Sequence, residues 1–152
     1  MTAPPRLLSV SLAVAALLLG GCFASKKGFE NWNPTLPASH FKTIATIAGS
    51  SSRNDIRMMV QLRQDLVKAG VNAVRSVGRW DNVTEAIRQV CGPDAEQPVD
   101  GMVIVNYDHL VLYDCQTSRA AYEIQGSSQT GITEMTSRLI KYLTRKPEPA
   151  AQ

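Results

Sequence analysis

The feature that most constrains this chain is an apolar run that ends at a cysteine. Residues 7–19 are aliphatic apart from two serines, and the only charge before them is Arg6. As a helix these thirteen residues would span about 20 Å at 1.5 Å per residue. That falls short of the ~20 residues needed to cross a bilayer core. A basic start, a short apolar run and small residues behind it read as a secretory signal peptide. Residues 1–21 are therefore expected to be removed, and the fold to be built from the remainder.

The end of the run is more specific. Leu19-Gly20-Gly21-Cys22 sets a leucine three residues before a cysteine, with two small residues between. This resembles the bacterial lipobox. The resemblance implies cleavage after Gly21, a diacylglycerol thioether on Cys22 and acylation of the new amine, palmitate being a typical chain. No other cofactor is expected. Two or three acyl chains hold a protein on a membrane where one is marginal. Phe23 follows the cysteine in place of an aspartate, which by resemblance to enterobacterial sorting favours the outer membrane, facing the periplasm.

Residues 22–38 show no hydrophobic period and contain Pro34 and Pro37, so they read as a lipidated tether. Lys26 and Lys27 are placed to touch anionic headgroups or simply to be solvated. Phe29 and Trp32 fit either the domain surface or the membrane interface. Residues 147–152 read as a disordered tail. One domain is expected over residues 39–146. Its size suits a single core, and an apolar content of 44% with 19% charged residues excludes wholesale disorder. Sixteen Lys and Arg against thirteen Asp and Glu leave little net charge, so a nucleic-acid partner is not expected.

Within the domain, residues 41–48 form a β-rich run that stops at Gly49. Ile56, Met59, Leu62, Leu66 and Ala69 then recur at helical spacing, with Ser52 and Asp55 at the start and Gly70 at the end. Residues 71–77 read as a second strand. Asn82 and Glu85 open a short helix carrying Val83, Ala86, Ile87 and Val90, which Gly92-Pro93 stops. Three strands follow, Gly101–Asn106, His109–Asp114 and Arg119–Gln125, with connections short enough for an antiparallel meander. Residues 102–105 are apolar without alternation, so that strand should be buried on both faces. A last helix over 131–145 presents Ile132, Met135, Leu139 and Leu143. The order β-α-β-α-β-β-β-α predicts an α/β (α+β) fold: a single mixed sheet, its first two strands parallel through a helical crossover, with helices packed on it.

With Cys22 lipidated, Cys91 and Cys115 remain, either as a disulfide or as two free thiols. An exported compartment favours the disulfide. A redox or metal pair would need a C-x-x-C or nearby histidine spacing, and neither is present. His40 sits at the tether junction and His109 beside a turn with Asp108, neither at metal-ligand spacing. Ser50, Ser51 and Ser52 lack the lysine and glycines of a phosphate-binding loop and read as helix capping. Asp100, Asp108 and Asp114 form no paired-carboxylate pattern. No catalytic, cofactor-binding or metal residue is therefore expected, and the chain is not expected to be an enzyme.

Tyr113-Asp114-x-x-Thr117-Ser118-x-x-x-Tyr122 resembles a hairpin that recurs in the curli-secretion lipoprotein, the penicillin-binding-protein activator lipoprotein and the amino-terminal domain of TolB. Ser118 stands where that hairpin carries glycine. The resemblance implies a small interaction domain held at the bacterial envelope. The expected role is a non-catalytic accessory subunit of a secretion, pilus, flagellar or cell-wall assembly, bound to an envelope protein and possible as a homo-oligomer. The alternative is a small-ligand or metal-binding periplasmic lipoprotein.

Overall fold

The computed structural model describes residues 28–75, 82–126 and 131–145. The expected signal peptide, Cys22, the first tether residues, the last residues of the 71–77 strand and the tail lie outside them. Among the described residues no helix is long and apolar enough to cross a membrane.

The described residues fold as one mixed six-stranded sheet with three α-helices packed on it. In chain order the elements are β1 (Phe29–Trp32), β2 (Thr43–Ala48), α1 (Arg53–Lys68), β3 (Asn72–Arg75), α2 (Val83–Val90), β4 (Gly101–Asn106), β5 (His109–Asp114), β6 (Arg119–Gln125) and α3 (Ile132–Leu143). A 3-10 turn at Ala38–His40 precedes β2. The strands lie in the order β1-β6-β5-β4-β2-β3. β2 is parallel to β3 on one side and to β4 on the other. β4, β5, β6 and β1 are antiparallel neighbours. The expected crossover pair and meander are thus both present.

Local chemistry sets the helix ends. The Ser52 hydroxyl accepts from the Asp55 N–H at 3.1 Å, and the Asn82 side chain accepts from the Glu85 N–H at 2.9 Å. Each satisfies one of the donors that a helix start leaves open. Gly70 takes φ +82° after α1, the left-handed conformation in which glycine carries no Cβ penalty.

The sheet buries both faces around its centre. On one face Ile44, Val103, Val105, Leu110, Leu112, Tyr122 and Ile124 meet Met59, Leu62 and Leu66 of α1 and Met135 and Leu139 of α3. On the other, Ala45, Ile47, Met102 and Ile104 meet Ala86 and Val90 of α2. β4 therefore serves both clusters, which is why its sequence shows no alternation.

One expectation is corrected. Residues 29–32 do not act as tether: they form β1, an edge strand antiparallel to β6 with Glu30 opposite Ile124 and Trp32 opposite Tyr122. The domain begins ahead of residue 39. The Asn33 N–H continues the pairing to the Ala121 carbonyl at 2.8 Å. The physical reason is that β6 would otherwise end the sheet with an unpaired edge and leave Tyr122 uncovered.

Candidate functional site

Two constellations gather the polar chemistry of the described residues. The first lies at the β5–β6 turn. Asp114, the last residue of β5, is fully buried. Its Oδ2 accepts the Thr117 hydroxyl at 2.6 Å and the Thr117 N–H at 2.9 Å, and its Oδ1 accepts the Gln116 N–H at 3.3 Å. His40 Nε2 lies 2.9 Å from the same Oδ1, an ion pair when the imidazole is protonated. Burial pushes the Asp114 carboxyl upward, but these hydrogen bonds outweigh it and hold the group below the usual carboxylate range. Ser118 follows with φ +55°, the conformation that the glycine of the resembling hairpin would take without strain.

Next to this knot the Cys91–Cys115 disulfide is formed, its Cα atoms 5.0 Å apart. It joins the C-cap of α2 to the residue after β5. Asp100 completes the arrangement: its carboxylate accepts the N–H groups of Lys42 and Thr43, and its carbonyl accepts the Cys115 N–H. Asp100 and Asp114 thus organise backbone at strand ends. His109, which the sequence sets in a polar turn with Asp108, pairs instead with Glu123 across β5 and β6 at 2.7 Å. Ser50 donates to Asp55 beside the Ser52 cap. In this cluster the Thr117 hydroxyl donates to the Asp114 carboxylate and not to the imidazole. Among the described residues no group of three or more His, Cys, Asp or Glu is placed to hold a metal.

The second constellation is a groove of about 520 Å³ between the β1 edge and α3. Glu30, Trp32 and Tyr122 come from the sheet, Arg138, Lys141 and Tyr142 from the end of α3, and Arg145 from just beyond its C-cap Thr144. Trp32 lies opposite Tyr122 and Glu30 two positions along, opposite Ile124, so both project to the same face as Tyr122. Residues 138, 141 and 142 are three and four apart, so they line one side of the helix, and Arg145 follows two residues after it ends. The Tyr122 hydroxyl donates to Glu30 at 2.7 Å, and its ring stacks on Tyr142 at 4.8 Å. Burial, followed by the hydrogen bond to Glu30, pushes the Tyr122 phenol upward, so it remains a donor. The Tyr142 hydroxyl donates to the Leu36 carbonyl at 3.1 Å.

Arg138 bridges Glu30 and Glu134. Lys141 and Arg145 take part in no ion pair among the described residues, and Trp32 is 49% exposed. The groove therefore presents an open indole and three cations against one lining carboxylate. It can receive an anionic group beside a flat or apolar one. Nothing local in the sequence marks it: Glu30 lies 92 positions from Tyr122 and 108 from Arg138. The available signal was the basic and aromatic run at the end of α3.

No protein-family model matches the chain, and no curated protein does. Among solved structures, a PelC dodecamer from Paraburkholderia phytofirmans is similar at 12% identity and a TM-score of 0.43, over 77% of this chain and 93% of that one. A point variant of the same dodecamer gives 14% and 0.42 over 77% and 94%. Histidyl-tRNA synthetase from Nostoc sp. PCC 7120 gives 14% and 0.44, over 90% of this chain but 28% of that one. At these values the likenesses carry no inference about this chain. None of these structures is one of the envelope proteins whose hairpin the sequence resembles, so that resemblance stands on the sequence.

Proposed function

We propose that the chain is a lipid-anchored, non-catalytic interaction subunit of a bacterial envelope assembly of the secretion, pilus, flagellar or cell-wall kind. The observation that carries this reading is Leu19-Gly20-Gly21-Cys22 directly ahead of a single α/β sheet domain. Cys22 carries diacylglycerol and an N-linked acyl chain, and the domain stays at its membrane, the outer membrane by the residue after the cysteine. The disulfide supports an oxidising compartment. A protein partner would add a strand at a sheet edge, where main-chain groups give affinity. β3 is the edge away from the groove and offers that surface.

Labelling cells with alkyne-palmitate tests the anchor: label is expected on the wild type and absent from Cys22→Ser. A photo-crosslinking residue at Asn72 on β3 tests the partner. Recovery of one envelope protein across growth conditions is expected; recovery of the lipoprotein alone counts against an accessory role and for self-assembly.

The groove favours a second reading, a small-ligand lipoprotein. Its volume falls in the range of ligand pockets. A thermal shift with anionic metabolites, abolished by Arg145→Ala, separates this from the first.

A further inference from the structure

We infer that the β1–α3 edge is the membrane-facing surface of the domain, and that its groove takes the headgroups of anionic phospholipid. The inference rests on the lipid-anchor reading and adds an orientation to it. Three observations meet at this edge.

The first is reach. Because β1 begins at Phe29, only six residues lie between it and Cys22. Fully extended, the seven steps from Cys22 to Phe29 span at most about 25 Å, less than the width of a domain of this size. The anchored cysteine therefore keeps the start of β1 within that distance of the bilayer, and the β3 edge is the part of the sheet least drawn toward it. The second is composition. Phe29 and Trp32 are 45% and 49% exposed on a strand only four residues long. Indole rings settle at headgroup level, with an apolar body and a polar N–H. The third is charge. Lys141, in the last turn of α3, and Arg145, two residues past its end, line the groove with Trp32 and take part in no ion pair among the described residues, with Arg138 beside them. Each basic residue near an anionic leaflet strengthens association about fivefold. Lys26 and Lys27 add charge between the anchor and the strand. A surface of aromatic and basic residues beside an acyl anchor matches a bilayer carrying phosphatidylglycerol. An acidic peptide could use the cations, but it would not account for the short reach from Cys22.

The test uses the full chain purified from membranes and returned to two kinds of vesicle. One holds phosphatidylethanolamine with phosphatidylglycerol, the other phosphatidylcholine alone. Trp80→Phe leaves Trp32 as the sole tryptophan; the difference between wild type and Trp32→Phe gives the same signal if that variant does not fold. Intact mass reads acylation of Cys22 separately. Trp32 emission is expected to shift to the blue and to be quenched by phosphatidylcholine whose acyl chains are brominated near the headgroup, included at the same small fraction in both vesicles. In phosphatidylcholine the effect should be weak. The double variant Lys141→Gln and Arg145→Gln should lower the docked-to-free ratio about 25-fold. Acylated protein whose Trp32 is quenched in neither vesicle overturns the orientation and leaves the anchor standing. Quenching that is equal in both vesicles, or indifferent to the double variant, overturns the headgroup site. Unmodified Cys22 overturns the anchor reading and the orientation with it.

Discussion

Ser118 holds φ at +55° in the β5–β6 turn, where a side chain crowds the backbone. The Ser118 N–H donates to the Asp114 carbonyl at 2.8 Å, so the turn cannot relax without breaking its closing bond. Glycine removes the Cβ and keeps the hydrogen bond. Ser118→Gly is expected to stabilise the fold by about 1 kcal/mol, and Ser118→Val to destabilise it. Denaturant midpoints of the two variants check this; an unstable glycine variant would show that the strain lies elsewhere. Asp114 makes the opposite case, a costly residue that the turn requires. Its carboxyl sits below the ordinary range in the folded chain. It therefore binds its proton more weakly when folded than when unfolded. Its contribution is present above its unfolded pKa of about 3.9 and is lost as pH falls through the lower folded value. Stability measured from pH 6 to pH 2 should fall across that window. Asp114→Asn should flatten the fall and cost about 3 kcal/mol at neutral pH, because one oxygen now presents donors to Thr117 or His40.

At the scale of elements, the disulfide connects the most lightly held helix to the rest. α2 is eight residues long and buries only Ala86 and Val90. Cys91 fixes its C-terminal end to the β5–β6 hairpin across 24 positions. Removing both cysteines by alanine substitution should lower stability by about 3 kcal/mol on the chain-entropy account, and amide exchange should quicken first in α2. Uniform quickening across the sheet would argue that α2 is not a separable unit. The helices and the meander were legible because their signals are local. Met59, Leu62 and Leu66 repeat at helical spacing, and residues 102–105 are apolar on both faces. Ser52 and Asn82 cap where their spacing to Asp55 and Glu85 predicts. β1 was not legible, for an equally physical reason. Four residues followed closely by Pro34 are too few to show a period, and Phe29 and Trp32 fall on opposite faces. What makes Phe29–Trp32 a strand is the open edge of β6, almost a hundred residues later. The groove was hidden for the same cause, since Glu30, Tyr122 and Arg138 meet only after the sheet is assembled.

For the whole molecule, β1 decides how the folded unit ends and how near it can lie to an anchored Cys22. A chain starting at Ala38 separates the strand from a tether, because a tether can be cut without consequence. Such a chain loses the β1–β6 ladder, the carboxylate that accepts the Tyr122 hydroxyl, and Leu36 with the carbonyl that accepts the Tyr142 hydroxyl. Four cross-strand pairs and one hydrogen bond to a charged group together contribute about 2–3 kcal/mol. The shortened chain should unfold at a correspondingly lower denaturant concentration. It should also associate, since β6 then presents unpaired main-chain groups at the sheet edge. Light scattering reads the association and the unfolding midpoint reads the loss. A full-length Glu30→Ala variant keeps the strand's main-chain bonds and should show only the smaller part of the loss, without association. If truncation leaves both readouts unchanged, residues 29–32 are tether after all. The membrane-facing orientation would then lose its first support, because a longer tether would hold no particular edge of the sheet toward the bilayer.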